Sequence, residues 1–136
     1  MSMKQKQDRI IEEFCSLDDW LDRYDYLINL GKELKPLESR FKTDENALPG
    51  CQSQVWIHAE KEDGKLFFRA ESDSDIINGI LMLLIDVLDE STPSEVAEAD
   101  LYFVREMGLS TSLSPSRSNG LASIVRYVKL LGSENQ

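Results

Sequence analysis

Two cysteines, Cys15 and Cys51, and one histidine, His58, are the side chains of this 136-residue chain best suited to nucleophilic or metal chemistry. A structural zinc site drawn from Cys and His takes about four ligands, and an Fe–S cluster about four thiolates, so one chain supplies neither. Cys51 has the more telling setting. It follows Pro49-Gly50 inside NALPGCQSQVWIHA, residues 46–59, a stretch without Asp, Glu, Lys or Arg in a chain that is 29% charged. Proline presets φ and glycine accepts a positive one, so the next residue can project from a tight bend. A cysteine attacks as its thiolate, and the usual activators are a nearby cation, a histidine or a helix N-terminus. None of them lies beside Cys51 in the sequence. His58 is seven residues on, an odd offset that puts the two on opposite faces of an extended strand and argues against a Cys–His dyad. A thiol with access but no activator suits a partner that brings an already electrophilic sulfur, because exchange at sulfur depends on access as well as on pKa. An uncharged surround suits insertion into that partner, where unpaired charge is costly to bury.

The elements that must hold this loop can be read on either side of it. Ile10, Ile11, Phe14 and Leu17 recur at helical spacing, with Cys15 beside them as a core residue. Asp18 or Asp19 caps a second helix carrying Trp20, Leu21, Tyr24, Leu27, Ile28 and Leu30, which Gly31 closes. Residues 32–48 show no period and are expected to form an irregular loop leading to Pro49-Gly50. SQVWIHAE alternates, with Ser53, Val55, Ile57 and Ala59 on one face and Trp56, stacked with His58, on the other. Asp63-Gly64 is a hairpin turn, and KLFFRAE returns as the partner strand. Ser72 to Asp75 is rich in capping residues, and Ile76 to Leu88 is apolar on most sides, as a central helix across the sheet requires. TPSE, Thr92 to Glu95, is a capping box with proline at the first helical position. LYFVREMG gives a short helical piece that Gly108 ends. Ser114 and Pro115 open a last helix with Leu121, Ile124, Val125, Val128 and Leu131 inward and Gly132 as its stop.

The length fits a single domain, residues 1–136. Fifteen basic against twenty-five acidic residues leave a net charge of −10, which repels phosphate backbones and anionic lipid, so neither nucleic acid nor a membrane is an expected partner. The longest apolar run, Ile80 to Ile85, is far short of the roughly 18 residues of a bilayer span. MSMKQKQDRIIEEF has no secretory pattern, so a cytoplasmic protein with both thiols free is expected.

LPGCQSQVWI, with DWLDRYDYLINLGKEL before it and SPSRSNGLASIV after it, resembles the SufE/CsdE family of sulfur-acceptor proteins over roughly Phe14 to Leu131. The resemblance implies an α/β (α+β) domain in which helices cover a small antiparallel sheet, a fold shared with IscU-type scaffolds. It implies that Cys51 accepts persulfide sulfur from a pyridoxal-phosphate cysteine desulfurase of SufS/CsdA type, stimulating that enzyme. The sulfur would pass on to an Fe–S scaffold complex of SufBCD type. The protein would be an accessory sulfur carrier that holds no cofactor, the pyridoxal phosphate belonging to its partner. Gly50, Gln52 and Ser53 match the family motif and would shape the loop or meet the partner. Arg117 matches too, and a cation in the first turn of a helix opposes the macrodipole, which points to use elsewhere. Two other uses of Cys51 stay open: a thiol oxidoreductase, which wants a resolving thiol or an activating cation, and an adaptor regulating a desulfurase, with Cys51 serving only loop shape.

Overall fold

The computed structural model describes residues 2–48, 54–108 and 115–136, with side chains of the last segment from Gly120 onward. Among the described residues, six α-helices and one two-stranded antiparallel sheet make up an α+β architecture: α1 (Met3–Cys15), α2 (Trp20–Lys32), β1 (Val55–Glu62), β2 (Lys65–Ser72), α3 (Asp75–Leu88), α4 (Pro93–Glu98), α5 (Phe103–Glu106) and α6 (Pro115–Glu134).

Local chemistry starts most of these elements. Asp19 accepts the Leu21 N–H at 2.9 Å to cap α2, and Ser74 accepts that of Ile77 to cap α3. Thr92 and Glu95 satisfy each other's backbone N–H groups in the capping box of α4, at 3.2 and 2.9 Å. Asp63 and Gly64, with φ of 53° and 79°, form the tight turn of the hairpin. The register Val55↔Ser72, Ile57↔Ala70 and Ala59↔Phe68 aligns the apolar residues of both strands on one face. There Val55, Ile57, Leu66, Phe68 and Ala70 are buried in one core with α3, whose Ile77, Ile80, Leu81, Leu83, Leu84, Val87 and Leu88 are buried too.

Both edges of the hairpin are paired over part of their length, which reduces the open N–H and C=O groups that invite pairing with other chains. Ala47 bridges to Trp56 on the β1 side. On the β2 side Glu90, at φ 67°, turns the chain after α3 so that Leu66 exchanges hydrogen bonds with Glu90 and Ser91. Asp89 completes that edge by accepting the Phe68 N–H at 2.9 Å, and burial pushes its carboxyl above the usual range.

Three expectations about the helices need correction. Cys15 is exposed, its Sγ 3.8 Å from the Glu106 carbonyl. It lies one position past Phe14, so the helical rotation that sends Phe14 into the core turns the thiol away from it. Gly31 does not cap α2, which runs on to Lys32. It lies where α2 crosses α3, and a Cβ there would come within 2.9 Å of both Asn78 Cβ and the Asp75 carbonyl. Gly132 does not stop α6, which continues to Glu134. A Cβ on Gly132 would meet the Ala97 nitrogen at 2.7 Å, so the residue permits close contact with α4.

Candidate functional site

The segment that carries the proposed nucleophile is fastened at both ends. On one side Leu48 donates its N–H to the Val55 carbonyl at 2.9 Å, and Ile57 donates to the Asn46 carbonyl, also at 2.9 Å. On the other, the Gln54 N–H reaches Asp73 Oδ1 at 3.0 Å, while the Gln54 carbonyl accepts from the Ser72 hydroxyl at 2.7 Å and from the Asp73 N–H at 3.3 Å. Asn78, from the first turns of α3, bonds both backbone groups of Ser72, at 2.7 and 3.0 Å. The capping cluster read from the sequence therefore does two things: it starts α3 and it clamps the far anchor of the loop.

Gly50, Cys51, Gln52 and Ser53 lie between the anchors, outside the described residues, with Cys51 three positions from Leu48 and from Gln54. Arg117 lies in the first turn of α6, and its side chain is likewise outside what is described. The run without charged residues is not uncharged in space. Asp73 is bonded to Gln54, and the Lys42 ammonium sits 5.6 Å from the Trp56 ring.

His58 does not stack on Trp56 as expected. Its imidazole stacks on Phe41, with ring centroids 4.1 Å apart and planes 20° from parallel, and its Nε2 is 3.3 Å from Glu60 Oε1. Residues 38–42 form a strap across the outer sheet face. Lys42 Nζ pairs with Glu71 Oε2 at 2.6 Å, and Glu71 Oε1 accepts the Leu37 N–H at 2.9 Å. Burial raises the Glu71 carboxyl, yet Lys42 and the Leu37 N–H outweigh it and hold the group below its ordinary value. Sequence reasoning missed the strap because residues 32–48 have no period. Its usable signal was Phe41-Lys42, an aromatic and a cation side by side, facing a strand with a half-buried Trp and His on its outer face.

Sequence reasoning also missed Gln7, one of two buried polar residues among those described. Its side chain donates to the Asp100 carbonyl at 3.1 Å and accepts the Phe103 N–H at 3.2 Å, tying α1 to the start of α5. Beside it the Tyr102 hydroxyl donates to Asp8 at 2.6 Å, and that bond pushes its pKa up to about 12. Both contacts hold the fold together, on α1 and α5. Among the described residues no helix is long and apolar enough to cross a membrane, and no group of three or more His, Cys, Asp or Glu is placed to hold a metal ion.

Residues 8–131 match the family model described as SufE, Fe-S metabolism associated domain. An uncharacterised SufE-like protein of Rhizobium meliloti is 40% identical over 127 residues, covering 90% of this chain and 91% of its own. One from Synechocystis is 38% identical over 121 residues, covering 89% and 76%. The solution structure of a hypothetical protein from Thermus thermophilus superposes with a TM-score of 0.77 over 96% of this chain and 95% of that one; at 23% identity it speaks for the fold alone.

Proposed function

Because the chain belongs to the SufE family, associated with Fe–S metabolism, we propose that it accepts persulfide sulfur on Cys51 from a cysteine desulfurase and passes it to the Fe–S assembly machinery. The observation that carries this reading is the pair of anchors: the Ser72, Asp73 and Asn78 side chains hold the far end, and backbone bonds of Asn46 and Leu48 the near end, of a five-residue segment with a cysteine at its centre. Such anchoring fits a loop that must be presented in one place to a partner. In the transfer, the Cys51 sulfur attacks the terminal sulfur of the desulfurase's cysteine persulfide. A new S–S bond forms to Cys51, the old S–S bond breaks, and the enzyme's cysteine leaves as a thiolate that takes up the proton lost by Cys51. No oxidant or reductant is consumed.

The charged side chain bonded to the loop's anchors is Asp73, a carboxylate, which does nothing to favour a neighbouring thiolate. Activation is therefore assigned to the desulfurase, a SufS/CsdA-type enzyme that holds its own pyridoxal phosphate, and the downstream recipient to a SufBCD-type scaffold. The reading is tested by desulfurase turnover with free cysteine. Wild type should raise the rate and Cys51→Ser should not. Stimulation that survives Cys51→Ser would replace the sulfur acceptor with an adaptor.

A further inference from the structure

The final helix presents two stripes. Leu121, Ile124 and Val128 are buried in the core. Ser123, Arg126, Tyr127 and Leu130, at i, i+3, i+4 and i+7, form a second stripe that with Leu48 lines a hollow of about 240 Å³. We infer that this hollow seats an apolar side chain flanked by a carboxylate on the surface of the desulfurase, an inference that rests on the reading of that enzyme as the partner.

Three observations fix the chemistry of the occupant. First, two leucines line the hollow, one open and one closed: Leu130 is 51% exposed and Leu48 is buried. Second, one lining side chain is held in place, since the Tyr127 hydroxyl donates to the Glu45 carbonyl at 3.3 Å and ties the ring to the segment before the loop. Third, the one charged side chain among the described lining residues is a cation, that of Arg126. The Arg126 guanidinium bonds the Ser123 hydroxyl at 3.3 Å, but among the described residues it meets no carboxylate, and none lines the hollow. In a chain of net charge −10, a cation in a hollow lined by two leucines selects an acidic occupant, and the planar guanidinium fork suits a carboxylate. The same net charge disfavours a second copy of this chain. Leu48 belongs both to the hollow and to the loop's anchor, so a body seated here stands beside the point where the Cys51 segment leaves the fold.

Binding kinetics against a purified pyridoxal-phosphate cysteine desulfurase, its own nucleophilic cysteine replaced so that no sulfur moves, test this. Arg126→Glu and Leu130→Gln should each weaken affinity about tenfold or more, and added salt should weaken wild type more than Arg126→Glu. If Leu130→Gln lowers the unfolding midpoint, Arg126→Glu decides alone, because its position is exposed. Affinities within about twofold of wild type, with sulfur loading of Cys51 by the active desulfurase intact, would overturn the inference and leave the proposed function standing. Failure of wild type to bind or load with any desulfurase would overturn both. Sedimentation showing that the substitutions abolish self-association, while desulfurase affinity is kept, would put a second copy in the hollow and overturn the inference as well.

Discussion

The crossing of α2 with α3 and the strap over the outer face of the hairpin hold the same fold by opposite means. At the crossing, Gly79 brings the α3 backbone against the Leu27 carbonyl of α2, leaving no room for a Cβ, and Gly31 makes the reciprocal approach. Over the sheet, Phe41 stacks on His58 and Lys42 pairs with Glu71, all on side chains at least partly exposed to water. Steric fit between backbones has no substitute when a methyl group is added. Polar and aromatic contacts at a surface do, because water can replace them. The crossing sets the position of α3, which carries Asn78 and through it the far anchor of the cysteine loop. The strap is tied to the near anchor by Asn46, whose side-chain amide donates to the Phe41 carbonyl at 2.8 Å.

The sharpest break of this contrast is Gly79→Ala. A Cβ overlapping the Leu27 carbonyl must separate the two helices, and overpacking of this kind costs about 3 kcal/mol. Urea unfolding should show a large drop in midpoint, and an unchanged midpoint would mean that the crossing is not tight.

Glu71→Gln should cost only about 1 kcal/mol at neutral pH, since the pair is partly exposed. Its pH dependence has a definite sign. The Glu71 carboxyl is held below its ordinary value of 4.5, so its contribution is full above that value and lost as the pH falls through the lower folded-state value. Unfolding curves of wild type and Glu71→Gln should therefore converge on acidification. Curves that stay parallel would remove the ion pair from the account.

The smallest effect is expected at Cys15→Ala. An exposed side chain at a helix end contributes within about 0.5 kcal/mol, so neither stability nor sulfur loading should change measurably.

What the sequence made legible follows the same divide between local and distant causes. The hairpin, the capping box of α4 and the cap of α3 each depend on residues within a turn of one another, and each is where the sequence places it. Gly31 and Gly132 were misread because a glycine near a helix end has the same local appearance whether it caps the helix or admits a neighbouring backbone. Only the opposing helix distinguishes them. The strap escaped for a related reason, since Phe41 and Lys42 find His58 and Glu71 across the sheet rather than along the chain. Cys51 is proposed on the Pro49-Gly50 sequence before it and on the motif around it, residues 49–53 lying outside the described residues. The anchoring of its loop by Ser72, Asp73 and Asn78 was not legible, because those residues also make complete sense as the start of a helix.

The central claim is that Cys51, and no other residue of this chain, receives the sulfur. Incubation with a cysteine desulfurase and free cysteine, trapping of thiols and persulfides, and peptide mass mapping of both cysteines test it directly. The account predicts one added sulfur atom on the peptide containing Cys51, none on that containing Cys15, and no gain of mass in Cys51→Ser. Added sulfur on Cys15, or its absence from Cys51 in the presence of a turning-over desulfurase, would contradict it.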